Sequence, residues 1–274
     1  MSESEKVFGW KDAGLIVGSV FGVYALFYWL MRSVDLLPDE FRASVVILDL
    51  VVIGLVVLLI PLRGFRLLSA LRLAKVTAHD FGMVLLLTLG LAFATSGYSV
   101  LLELFTFLPD WLWDVPLEGP VTPTGWFFEW LSSGLTGPIM EECIFRGVIQ
   151  PVAISRFGPL RGIWLTSLLF GAAHLVPLPA LAHLLWSVAV GLAVYRTGSL
   201  LTGFFLHSAN NAMVLASVAL VEDPNADLMG PHPESWQLLL VLAAIAGGIM
   251  LSVWALRRMK KGVLELVEQT DALD

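Results

Sequence analysis

Charge is what this chain has least of. Of its 274 residues only 14% are charged, while 57% are hydrophobic, and the mean hydropathy is +0.82. Soluble domains carry about 25% charged residues. The deficit excludes an ordinary water-soluble fold and points to a polytopic membrane protein. Cysteine is nearly absent as well. A single Cys143 excludes an internal disulfide framework and a cysteine-based metal cluster, and it reads as a small apolar residue in a helix. The acidic start Met1-Ser2-Glu3-Ser4-Glu5-Lys6 lacks the basic region and small-residue cleavage site of a signal peptide, so the first apolar stretch is expected to remain as a true span. The sequence has no repeat, low-complexity tract or Gly/Ser linker. Residues 1–274 therefore read as one integral membrane domain whose main partner is the lipid bilayer, and no nucleic-acid partner is expected. Several catalytic signatures are also missing. There is no Gly-x-Ser-x-Gly elbow, no phosphate-binding loop and no His-Glu-x-x-His helix.

What the chain has is apolar length. A bilayer core takes ~20 apolar residues per helix, and on that ruler eight spans are predicted, giving an all-α membrane bundle. They run from Gly14 to Met31, Ala43 to Leu62, Phe81 to Leu108, Trp126 to Ala153, Gly162 to Val176, Leu181 to Tyr195, Ser199 to Val221 and Trp236 to Leu256. Pro177 and Pro179 are expected to break the fifth. Basic residues set the orientation. Lys6 and Lys11 precede the first span. Arg63, Arg66, Arg72 and Lys75 follow the second, Arg156 and Arg161 the fourth, Arg196 the sixth, and Arg257, Arg258, Lys260 and Lys261 the eighth. With eight spans all of these fall on one side, leaving only Arg32 and Arg42 on the other. Both termini are thus expected in the cytoplasm of a cell-membrane protein. The opposite loops are acidic and aromatic, as in Asp110-Trp111-Leu112-Trp113-Asp114 and Glu222-Asp223-Pro224, and the tryptophans read as interfacial anchors.

Against that background a few polar residues lie at membrane depth, where ionised groups are costly unless paired or wetted. Glu141, Glu142 and Arg146 lie in the fourth span, His174 in the fifth, and His207, Asn210 and Asn211 in the seventh. Asp49, Glu103, Glu129 and His183 occur singly. At a rise of 1.5 Å per residue, Glu141, His174, His207 and Asn211 all lie roughly 16–22 Å from the nearest basic marker on their own helices. A shared level lets three helices bring acid, imidazole and amide groups together. Glu142 and Arg146 are four apart and share a helix face, with the acid N-terminal to the base; His207 and Asn211 are likewise four apart. Glu141 is rotated about 100° from Glu142. The expected division is that Glu142 neutralises Arg146 and Glu141 faces a cavity. Gly134, Gly137 and Pro138 are expected to loosen the span just before the acids.

These groups suit the addition of water to a peptide carbonyl. A carboxylate can act as general base on a water, imidazoles can orient that water or bind a metal, and an Asn amide can donate to an oxyanion. Such a site needs water at membrane depth, so a cavity open to the cytoplasm is predicted.

Glu141-Glu142-x-x-x-Arg146, Phe170-x-x-x-His174 and His207-x-x-x-Asn211, in that order on successive hydrophobic stretches, resemble the three motifs of the CPBP intramembrane proteases. That family includes the type II CAAX prenyl endopeptidases and bacteriocin-processing, Abi-like proteins. Arg196-Thr197-Gly198-Ser199-Leu200 also resembles the family pattern. The likeness spans 126–215, the expected catalytic core. It implies an eight-helix fold and an endopeptidase acting on membrane-associated or prenylated peptide or protein substrates. It further implies that Glu141 activates the water, His174 orients it, and His207 with Asn211 stabilises the oxyanion. Glu142, Arg146 and Phe170 support them. The family is read both as zinc metalloprotease, which would make His174, His207 and Glu141 the ligands, and as metal-free glutamate protease. A non-enzymatic immunity or scaffold protein keeping the fold is the alternative. A transporter relay lacks the expected inverted repeat.

Overall fold

The computed structural model describes residues 9–34, 36–102, 120–174, 177–220 and 234–259. The described residues form helices and connecting turns, α1 (Trp10–Met31), α2 (Pro38–Leu62), a short α3 (Leu67–Ala70), α4 (Ala78–Leu102), α5 (Pro123–Leu131), α6 (Gly137–Glu142), α7 (Gln150–Phe157), α8 (Pro159–Ala173), α9 (Pro177–Thr197), α10 (Leu200–Leu220) and α11 (Ser235–Arg258). The all-helical class follows from the apolar runs. Their polar ends follow from capping chemistry. α2 opens on Pro38, with Glu40 Oε2 accepting from the Leu37 N–H at 3.0 Å, which satisfies a donor the helix leaves orphaned. Thr77 and Asp80 cap α4 in the same way, the Asp80 N–H donating to the Thr77 hydroxyl at 3.1 Å.

Four helices, α1, α2, α4 and α11, are long and apolar enough to cross a membrane. Their outward faces carry exposed Phe21, Trp29, Leu58, Leu239 and Met250, a surface that suits lipid rather than water. The remaining predicted stretches also coincide with helix but differ in detail. The third is described only to Leu102, so Glu103 and the Asp110–Asp114 anchors lie outside the described residues, as do Glu222, Asp223, Lys260 and Lys261. The fifth ends at Ala173. Pro177 opens α9 rather than merely ending the helix before it, a position where its missing N–H costs nothing.

The fourth stretch is a composite rod over 123–157. Two π-helical turns, Ser132–Thr136 and Cys143–Ile149, interrupt it. Pro138 and Pro151 each follow a π turn by two residues. A proline cannot donate to the carbonyl four residues back, and the wider turn takes up the broken ladder. The loosening expected around Gly134 and Pro138 thus takes the form of an inserted residue, which re-aims everything after it.

Two apolar cores flank this rod. One joins α1 and α2 to the rod through Ile16, Val52, Val56, Met140, Ile144 and Val148. The other joins α4, α9 and α11 to Phe170 and Leu206 through Leu87, Val190 and Ala255. Gly90 of α4 and Gly248 of α11 face each other across the seam between the two helices. A Cβ on Gly248 would stand 2.5 Å from the Gly90 carbonyl oxygen, so the seam relies on small residues, as membrane helix pairs do. The polar residues lie between the two cores.

Candidate active site

Glu142 and Arg146 are on the rod, one turn apart, and both side chains are completely enclosed. Arg146 Nη1 donates to Glu142 Oε1 at 3.0 Å. Arg146 Nη2 donates across to α9, to the Ser187 hydroxyl at 2.7 Å and its carbonyl at 3.3 Å. The guanidinium carbon sits 4.6 Å from the centre of the Phe170 ring, a cation–π contact strengthened by exclusion of water. One turn further on, Gln150 Nε2 donates to the Gly191 carbonyl at 3.1 Å. Arg146 and Gln150 on the rod thus meet Ser187 and Gly191 on α9 at matched spacing, a polar ladder between two parallel helices.

Glu142 has a second duty that the sequence reading missed. Its Oε1 also accepts from Nδ1 of His207 on α10, at 3.0 Å. The contact requires α10 to come close, and Gly203 permits it, because a Cβ there would lie 2.6 Å from Glu142 Oε2. With Nδ1 committed, His207 presents Nε2 to the other acid. Glu141 Oε2 is 3.8 Å away, beyond hydrogen-bond range, and this buried oxygen has no partner among the described residues. The Glu141 side chain as a whole is 28% exposed, against 0% for Glu142. Adjacent acids on one rod therefore have opposite environments.

His174 caps α8 and donates Nδ1–H to the Phe170 carbonyl at 2.9 Å, which leaves Nε2 as an acceptor. Its ring stacks on His183 of α9, centroids 4.4 Å apart. Phe170 packs against Phe145, Trp186 and His207 and so locks rod, α8, α9 and α10 together. Asn211 Nδ2 donates to the Ser133 carbonyl in the first π turn at 2.7 Å, leaving its second N–H. Asp49 of α2 accepts from Thr136 at 2.7 Å at the end of that turn.

Glu141, His174, His207 and Asn211 all line one cavity of about 1370 Å³. His183 and Trp186 line it too, and the buried Trp186 indole N–H has no partner among the described residues. Of the residues missed from sequence, Gln150 continues the Glu142, Arg146 spacing by one more step of four, a signal that was there to be read. Ser187, Trp186 and Gly191 carry no motif. Arg42, Glu129, Ser99 and Ser217 line the cavity as well.

Among the described residues no three of His, Cys, Asp and Glu are grouped so as to hold a metal ion. Nδ1 of His174 and of His207 is engaged, which leaves Nε2 of each ring, and Glu141, as the atoms that would hold zinc.

An all-helical membrane bundle with acid, imidazole and amide groups gathered in a buried cavity is the class of construction found here. Residues 123–213 match the family model described as Type II CAAX prenyl endopeptidase Rce1-like. This segment holds every residue of the three motifs, and the match supports its assignment to the CPBP family of intramembrane proteases. No curated protein and no solved structure matches the chain.

Proposed function

We propose that the chain is an endopeptidase of the cell membrane that hydrolyses peptide bonds of membrane-associated substrates with a water activated by Glu141. The observation that carries this reading is the cavity-facing, part-exposed Glu141, whose Oε2 has no partner among the described residues and lies 3.8 Å from His207 Nε2, with His174 and Asn211 lining the same cavity. A water beside Glu141 gives up a proton to the carboxylate while its oxygen attacks the scissile carbonyl carbon. General-base help of this kind contributes typically ~10²–10⁴-fold. His174 Nε2 orients the water. The second N–H of Asn211 faces the developing oxyanion, and so does Nε2 of His207, which donates there as an imidazolium whose Nδ1–H is held by Glu142. Collapse of the tetrahedral intermediate breaks the C–N bond, and Glu141 returns its proton to the leaving amine. One water is consumed, and one carboxylic acid and one amine form. Glu142, Arg146 and Phe170 hold the frame and touch no reacting atom.

The test is cleavage of prenylated and unprenylated membrane peptides by purified protein and by Glu141→Ala in detergent. The variant is expected to lose activity by at least ~10²-fold while eluting as a folded protein. Equal activity would remove Glu141 from its role. A wild-type protein that is folded yet inert on every peptide would favour the immunity or scaffold alternative.

A further inference from the structure

One buried acid takes no part in the chemistry proposed above. Asp49 sits midway along α2 and is 3% exposed. No Lys, Arg or His among the described residues pairs with it. An acid kept at membrane depth without a counter-charge is costly, and is a functional candidate by default. Asp49 lies outside the segment 123–213 and in none of the three motifs. Its Oδ2 accepts from the Thr136 hydroxyl at 2.7 Å. That hydroxyl has one hydrogen, and the Leu131 carbonyl on the same rod, 3.2 Å away, is the competing acceptor. Asp49 thus turns a contact within the rod into a tie between the rod and α2.

The tie falls where the site is set. Thr136 ends the first π turn, in which the Gly137 N–H donates to the Ser132 carbonyl. Gly137 itself is against Asp49, since a Cβ there would stand 3.8 Å from Asp49 Oδ2. Glu141 follows one helical turn later. Within the same π turn the Ser133 carbonyl holds Asn211 Nδ2 at 2.7 Å. One irregular turn therefore places both the acid and the amide of the site, and π turns occur mostly as single insertions of this kind, frequently at functional sites. We infer that Asp49 is a positioning residue of this site: through Thr136 it latches the π turn, so that Glu141 and the Asn211 amide keep their relative placement. What the latch serves rests on the endopeptidase reading; that it holds the turn does not. Asp49 and Glu141 also act on each other through charge, an effect that a latch does not require.

The test uses the whole chain in detergent, with Asp49→Ala, Thr136→Val, the two combined, and Asp49→Asn. The first two each remove the bond from one side, and valine keeps the shape of threonine. Either variant is expected to lose on the order of 10²-fold in kcat for peptide cleavage, as a small misplacement of reacting groups does, with KM nearly unchanged. The combined variant should lose no more than the worse single one, because both break the same bond. Asp49→Asn keeps an oxygen that accepts from Thr136 and should recover most of the rate. A loss in Asp49→Asn as deep as in Asp49→Ala would overturn the latch in favour of a charge effect. A folded Thr136→Val with the wild-type kcat would overturn it too. Backbone hydrogen exchange over 132–141 gives a readout that needs no substrate. It should rise in Asp49→Ala and Thr136→Val while α11 stays unchanged, and exchange at the wild-type level would sink the inference. A wild-type protein inert on every peptide, with exchange rising in the variants as expected, would count against the endopeptidase reading alone and leave the latch standing.

Discussion

Glu142 and Glu141 are neighbours in sequence and differ in nearly every physical respect. Glu142 is enclosed, shares one oxygen between Arg146 and His207, and is held beneath Gly203 of α10. Glu141 faces the cavity and is 28% exposed, while an Oε2 without a partner among the described residues is common to both acids. The first arrangement is a joint, binding the rod to α9 through Arg146 and to α10 through His207. The second is the position we propose to be reactive. A buried ion pair is weak evidence for stability in itself, yet it is well suited to fixing register between helices. Here it fixes the imidazole that the neighbouring acid faces. The proposed chemistry depends on the joint, although the joint touches no substrate.

Breaking the joint should have the largest structural effect. Arg146→Ala leaves Glu142 buried with only His207 to answer it, and loss of one partner of an enclosed pair typically costs about 3–5 kcal/mol. The expected outcome is a sharp drop in thermal stability in detergent, with activity falling as the fold fails. A variant as stable as wild type and fully active would dissolve the distinction between the two acids. Gly203→Ala sharpens the comparison more gently. It should push α10 away from Glu142 at a cost of about 1–3 kcal/mol, typical of overpacking. Because His207 moves with α10, the rate should fall more than the melting temperature suggests. A stability loss with unchanged turnover per folded molecule would show that the Glu142–His207 contact does not serve the reaction.

Much of the helical framework was readable from apolar run length alone, because lipid demands helix wherever the backbone crosses it. The Glu142–Arg146 contact was readable from a spacing of four, a local property of one helix. The level shared by Glu141, His174, His207 and Asn211 pointed to a common site because helical rise converts sequence distance into depth. Other features were not readable. Residue spacing on a regular helix carries no information about π turns, and the two in the rod decide which way Glu141 and Asn211's partner Ser133 point. Ser187 and Gly191 meet Arg146 and Gln150 across a helix pair, and the choice of packing partner does not follow from either strand of sequence.

The central claim is that one acid is the joint and its neighbour the reactive group. It is tested most directly by measuring melting temperature and peptide-cleavage rate on Glu141→Gln and Glu142→Gln side by side. The account predicts that Glu141→Gln melts with the wild type but loses ~10²–10⁴-fold in rate, whereas Glu142→Gln melts markedly lower because Arg146 is left without its counter-charge. A destabilised Glu141→Gln beside a stable, inactive Glu142→Gln would contradict it by exchanging the two roles.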